Sequence, residues 1–240
     1  MAEETKNTET KKEDEKKKGF FSESRIEMFV AIFLGITALL MAWGTWIGSL
    51  HGGNQATNYT KSNNVSADGN SIYNEKFQQY LADLMAWNTY MEYCYDLEIA
   101  QAKGDEVSAQ LINEKLSQYM DQNFSPELIE AYNNMTDDMY SPFSQEFIDS
   151  YFTDALDKLD ESQALLEQGM EDNKNGDRYG LVTVIYSVVL FMLGIIGVFK
   201  KLPNRKVVLI IAVIGLVLTS VYMFTIPMPT DFSLFGYFGA

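Results

Sequence analysis

The sequence predicts an all-α integral membrane protein with three transmembrane helices and an extracytoplasmic antiparallel helical bundle inserted between spans one and two. Three observations predict it. The 240-residue chain holds apolar runs at 26–50, 181–199 and 207–224, the last two without a single Asp, Glu, Lys, Arg or His. Residues 51–180 show helical periodicity and no strand pattern of any length. Lys and Arg are segregated along the chain in a way that alternates across the runs.

Each run meets the membrane requirement, since about 20 apolar residues cover a ~30 Å hydrocarbon core. Core helices of soluble proteins rarely stay uncharged over that length. The first run carries only Glu27, at its edge. It is too long for a signal-peptide core and no A-x-A-like cleavage site follows it, so it is expected to remain as an anchor. The expected spans are 24–50, 181–199 and 207–226.

Orientation follows from the cations. Seven precede span one (Lys6, Lys11, Lys12, Lys16, Lys17, Lys18, Arg25), and four (Lys200, Lys201, Arg205, Lys206) fill the loop 200–206. Positive-inside counting places the N-terminus and that loop in the cytoplasm, and residues 51–180 and the tail 227–240 outside. The expected location is the plasma membrane, as a multi-pass protein.

The formal charge of −15 is concentrated in the insert, where 24 Asp and Glu face 7 Lys and Arg, a balance near −17. A surface of that sign excludes nucleic acid as a partner. It suits solubility, attraction of cations or a basic protein partner outside the cell.

In chain order, residues 1–23 read as a disordered cytoplasmic tail rich in Lys and Glu. Phe20 and Phe21 form an interfacial pair, and Ser24 with Glu27 makes a capping box that starts helix one. Trp43 and Trp46 belong to the outer aromatic belt. Gly44 and Gly48 form a G-x-x-x-G step, with Gly35 further in, suited to helix packing within the chain or to self-association. The polar stretch 51–70 is either a loop or a continuation of helix one, made costly by Gly52 and Gly53. From Ser71 onward, Tyr73, Phe77, Tyr80, Leu84, Trp87, Met91 and Cys94 recur at steps of four and three. That is a coiled-coil-like seam on a helix that Gly104 stops. A shorter helix is expected over 105–121.

Ser125 before Pro126 and Ser141 before Pro142 each place a capping serine ahead of an N1 proline. The second pair is expected to open a long helix with Phe147, Tyr151, Ala155, Leu159 and Leu166 on its apolar stripe. Asp149, Asp154, Asp157, Asp160 and Glu161 form its acidic face. Gly176 and Gly180 are expected to loosen the junction into span two. The aromatic C-terminal tail, with Phe232, Phe235, Tyr237 and Phe238, is expected to lie against headgroups or on the ectodomain.

Gly52-Gly53-Asn54-Gln55-Ala56, Phe124-Ser125-Pro126-Glu127, Ser141-Pro142-Phe143 and the run from Gly176 through Asp177, Arg178, Tyr179 and Gly180 to Val184 occur in this order, followed by Leu190-Phe191. Together they resemble a widespread group of uncharacterised prokaryotic three-span membrane proteins, a family without an assigned function. The similarity spans most of the chain from about Arg25 to Phe224. It implies a fold and a topology, and supplies no catalytic residue or ligand. Asn54 stands where that pattern carries an acidic residue.

No enzyme chemistry is expected. The lone histidine, His51, has no Cys or His at ligand spacing and reads as a satisfied interfacial side chain. The lone Cys94 reads as a small buried hydrophobe. No nucleophile elbow, zinc-protease or phosphate-loop motif occurs, and no cofactor or metal is expected. A straight helix spreads the acidic face too widely for Ca²⁺. The spans lack the ionisable residues of coupled carriers. Thr37, Thr45, Thr183, Ser187, Thr219 and Ser220 are the available pore-lining or interhelix polar groups. Trp87 and Tyr90 share one helix side and suit core or oligomer packing. The expected function is a non-enzymatic, homo-oligomeric scaffold or sensor whose acidic ectodomain contacts a partner or neighbouring subunit. The alternative is a homo-oligomeric ion channel with that ectodomain as a cation-concentrating vestibule.

Overall fold

The computed structural model describes residues 23–136, 139–199, 203–230 and 232–233, all of them in helices or short connections. The helices are α1 (Glu23–Ala102), α2 (Glu106–Asn123), α3 (Pro126–Asn133), α4 (Gln145–Val198) and α5 (Arg205–Thr225). Among the described residues there is no strand. Three helices, α1, α4 and α5, are long and apolar enough to cross a membrane. The pair Phe20–Phe21, Lys200, Lys201 and the aromatics beyond Ser233 lie outside the described residues.

The chain forms two compact units, one from Met1–Asn58 with Glu167–Ala240 and the other from Tyr59–Leu166. In the first unit, parts of α1, α4 and α5 pack around Ile47, Val182, Tyr186, Leu193, Ile196, Leu209 and Met223. Less than a third of each apolar window is covered by the chain itself. Leu39, Phe191, Leu218 and Phe224 stay largely exposed, an extent of open apolar surface that suits lipid rather than water. Tyr186 on α4 shares a hydrogen bond with Ser220 on α5 at 2.9 Å. Arg205, at the start of α5, donates through Nε to Ile196 O at 3.1 Å. It places a cation on the C-terminal carbonyls of α4, where the helix dipole favours one.

Of the two readings of residues 51–70, continuation of helix one holds: α1 runs unbroken through Gly52 and Gly53. Burial explains why. His51, Ser62 and Gly69 are buried and Gln55 and Asn58 partly so, which continues the four-and-three seam backwards in polar and small residues. Contrary to expectation, Gly176 and Gly180 do not loosen α4, which is continuous to Val198. Gly176 serves close packing instead. A Cβ on it would meet Gly48 O at 3.6 Å, and one on Gly48 would meet Tyr179 Cβ at 3.1 Å.

In the second unit α1 and α4 run antiparallel, joined by reciprocal bonds in which Ser62 Oγ donates to Ser162 O and Ser162 Oγ to Ser62 O, at 2.8 and 2.9 Å. Gly104, at φ +73, ends α1 in the left-handed region, and Asp105 caps α2 by accepting from Ser108 N. Ser125 caps α3 with Pro126 in its first turn, as the sequence predicts. The second proline signal is displaced. Ser141 accepts from Phe143 N, whereas Ser144 accepts from Phe147 N, so α4 begins three residues later than expected, with Ser144 as its cap.

The core of this unit is aromatic. Trp87, Tyr90, Phe124, Leu116 and Leu128 are buried, and Trp87 stacks on Tyr90 at 5.5 Å. Asp83 is buried at their edge and accepts three hydrogen bonds: from Ser125 N (3.1 Å), Ser125 Oγ (2.6 Å) and Tyr151 Oη (2.6 Å). One carboxylate therefore ties α1 to the cap of α3 and to α4. Burial, and then Asp83, push the Tyr151 hydroxyl well above the ordinary tyrosine range. Burial and the Tyr132 hydroxyl do the same to Tyr90.

Candidate functional site

The most chemically distinctive cluster lies in the first unit, around His51. The ring is 1 % exposed because α1 passes close to α4 at Gly48 and Gly176. Nδ1 lies 2.7 Å from Asp172 Oδ1, and Nε2 lies 3.1 Å from Pro227 O in the segment after α5. Tyr179 stacks on the ring at 5.8 Å. Asn58, one helical turn pair further along α1, donates to Asp172 Oδ2 at 3.4 Å. A small cavity of about 120 Å³ adjoins the pair, lined by His51, Asn58, Gln168, Glu171, Asp172, Asn175, Pro227, Met228 and Thr230. Asn175 is buried, and its Oδ1 accepts from Arg178 Nη1 at 3.2 Å.

The hydrogen count at this site is constrained. A carbonyl only accepts, so Nε2 must carry a hydrogen toward Pro227. A second hydrogen must sit between Nδ1 and Asp172. When both contacts are made as hydrogen bonds, the pair carries one proton more than a neutral ring with an ionised carboxylate. A buried, paired charge of this kind is tolerable where isolated charge is not.

The sequence identifies His51 but not its partners. Asp172 lies 121 positions away, and the Pro227 carbonyl carries no side-chain signal. The one legible hint is spacing: His51, Gln55, Asn58 and Ser62 extend the seam, although its own members Tyr73 and Phe77 are exposed rather than buried as the seam predicts. Three of the site positions lie within or beside the resembling motifs, near Gly52 and Gly176.

The other candidate residues are placed as follows. Gly44 packs within the chain, where an added Cβ would meet Thr183 Cγ2, Met223 Sδ and Val182 Cγ1 at 3.6–3.7 Å. Gly48 faces Tyr179, and nothing lies within 4 Å of a Cβ on Gly35. Trp87 and Tyr90 sit in the aromatic core of the second unit. Every candidate pore hydroxyl bonds to its own helix. Thr37 donates to Phe33 O, Thr45 to Met41 O, Thr183 to Gly180 O and Ser187 to Val184 O. Thr219 donates to Gly215 O and Ser220 to Leu216 O. Trp43 and Trp46 meet Phe232 edge-on at 6.0 and 5.7 Å, so this part of the tail packs on α1 of the first unit.

The second unit carries a wider cavity of about 530 Å³, lined by Glu127, Glu130, Glu146, Met139, Pro142 and Phe147 among others. Burial raises Glu127, but its own backbone N–H, Lys76 and Gln79 outweigh that and hold it below the usual carboxylate range. Cys94 is half-buried. Burial raises its thiol, Tyr90 opposes this and Glu98 adds to it, an environment that disfavours the reactive thiolate. Among the described residues no three His, Cys, Asp or Glu side chains converge as metal ligands. Asp149, Asp154, Asp157, Asp160 and Glu161 are all exposed along α4. No family model, curated protein or solved structure matches the chain, so its own residues carry the functional argument.

Proposed function

We propose that the protein is a non-enzymatic membrane scaffold or sensor, with its N-terminus in the cytoplasm and its second unit outside, contacting a partner protein or a neighbouring copy. The observation that carries this reading is exposed apolar surface, including one run along α1, on a unit that is also strongly acidic. Tyr73, Phe77, Leu81 and Met85 recur every four residues on α1 and are 40, 43, 40 and 65 % exposed. Tyr73 also packs on Phe152 at 4.8 Å, so the open end of the run is Leu81 and Met85, and exposed apolar surface of this kind marks a contact surface. The exposed acidic face of α4 would add a preference for basic neighbours and a faster encounter with them.

The pore alternative finds less support. The span hydroxyls are occupied by backbone carbonyls of their own helices, and Tyr186, Leu193 and Met223 fill the space between the helices of one chain. A homo-oligomer would then be held by contacts between sealed protomers.

A photo-reactive amino acid placed at Met85, and separately at Asp157, tests the reading in intact cells. Met85 is expected to give a discrete adduct, either with a second copy or with another protein, while Asp157 gives little. Adducts at neither position, or equal diffuse labelling at both, would refute the assigned contact face.

A further inference from the structure

We propose that the His51–Asp172 pair is a proton-dependent latch that holds the segment 226–230 against α1 and α4. The ligand of this site is the proton, and the moving part is the chain just beyond α5. All of these residues belong to the first unit.

The number of hydrogens on the ring decides whether both contacts can be made. With the shared proton in place, both ring nitrogens donate, one to Asp172 and one to Pro227 O. Loss of that proton to solvent leaves one ring hydrogen for two acceptors. The charged carboxylate at 2.7 Å holds it more strongly than a neutral carbonyl at 3.1 Å. Nε2 then presents a lone pair to the lone pairs of Pro227 O, and the contact turns repulsive. Gain of a further proton lands on the carboxyl group and leaves both ring hydrogens where they were. The latch is therefore one-directional, closed at low pH and released as pH rises.

The groups facing the ring are few. From α4 come Asp172 itself, Glu171 across the cavity, Tyr179 stacked on the ring, and Arg178, engaged by Asn175. On α1, residues 52–58 hold no titratable side chain, and neither does the segment 226–230. The ring is 1 % exposed, so its contacts with Asp172 and Pro227 O are made away from bulk water, where each one weighs more. Two other contacts hold neighbouring parts of the segment. Tyr179 Oη reaches Ile226 O at 3.5 Å, and Phe232 meets Trp43 and Trp46. These do not titrate in the same range, so release is local to 227–230 rather than a detachment of the whole tail.

The test uses the full chain in lipid nanodiscs. Cys94, the sole cysteine, is replaced by alanine, and a nitroxide is attached at Thr230→Cys. Electron paramagnetic resonance is expected to show a restrained label at the acid end of a pH series and a several-fold larger mobile fraction at its alkaline end. Asp172→Asn should stay restrained at both ends, because the amide can donate to Nδ1 while the neutral ring keeps its hydrogen on Nε2. His51→Phe should be mobile at every pH. An unchanged spectrum of the otherwise native chain across this range overturns the latch. So does a pH response that persists in Asp172→Asn.

Discussion

Replacing Asp83 with alanine is expected to destabilise the second unit by about 3–5 kcal/mol, because it strands three donors around a buried acceptor. Ser125 N–H, Ser125 Oγ and Tyr151 Oη all lose their partner, and the cap of α3 loses its orientation along with them. Asp83→Asn keeps one carbonyl oxygen but turns an amide N–H toward donors, so a cost of about 1–3 kcal/mol is expected. Thermal unfolding of the full chain in detergent, followed by the fluorescence of Trp87 with Trp43 and Trp46 changed to phenylalanine, reads the loss. A midpoint unchanged in Asp83→Ala would mean that the carboxylate is not the tie between these helices.

The same network sets an alkaline limit. The folded state raises the Tyr151 hydroxyl through burial and through Asp83, and Tyr90 through burial and Tyr132. The unfolded chain releases these protons near the ordinary tyrosine value of about 10. Their contribution to stability is therefore complete below that value and declines as pH rises above it. Asp83→Asn removes only the charge component of the Tyr151 shift, so burial should preserve most of the decline.

Trp87→Ala is expected to cost about 3–5 kcal/mol, the range for deleting a buried aromatic ring. Trp87 contacts Tyr90 at 5.5 Å, Tyr132 at 6.1 Å and Phe124 at 6.3 Å, so α1, α3 and the connection between α2 and α3 share its cavity when it is lost. Met85→Ala, two positions away and 65 % exposed, is expected to cost under about 0.5 kcal/mol. Denaturant midpoints read by far-ultraviolet circular dichroism compare the two directly. Equal effects would place Trp87 outside the core.

Much of the architecture is legible in the sequence because the membrane imposes a coarse rule. Runs such as 207–224, wholly uncharged, leave few alternatives to a spanning helix. Local signals also work where they are self-contained: Ser125 with Pro126 caps α3, and Gly104 stops α1. They mislead where two readings share one residue. Glycine lowers helix propensity, which makes 51–70 and 176–180 look like breaks. Tertiary contact overrides that cost, since Gly48 and Gly176 allow α1 and α4 to approach closely. The Ser141 signal fails for a similar reason, because Ser144, three residues on, offers an equivalent cap.

The candidate site is less legible. His51 can be singled out as the only histidine, but its meaning depends on Asp172 and on a backbone carbonyl. Neither is announced by spacing or motif. Asp83 is hidden in the same way, as one acid beside an aromatic seam in an acidic chain. The polar extension of the seam through Gln55, Asn58 and Ser62 is the signal that was available. It is weak because these residue types are equally common in loops.

α1 runs unbroken through residues 51–69, a stretch proposed to lie outside the cell. Single cysteines at 52, 53, 57, 61, 62, 64 and 68 in the Cys94→Ala background, treated with a membrane-impermeant maleimide on intact cells, test both parts together. Strong labelling at the exposed positions and protection at Ser62, buried against Ser162, are the predicted result. Uniform labelling across all seven would contradict the continuous helix, and labelling seen only after the membrane is opened would contradict the orientation.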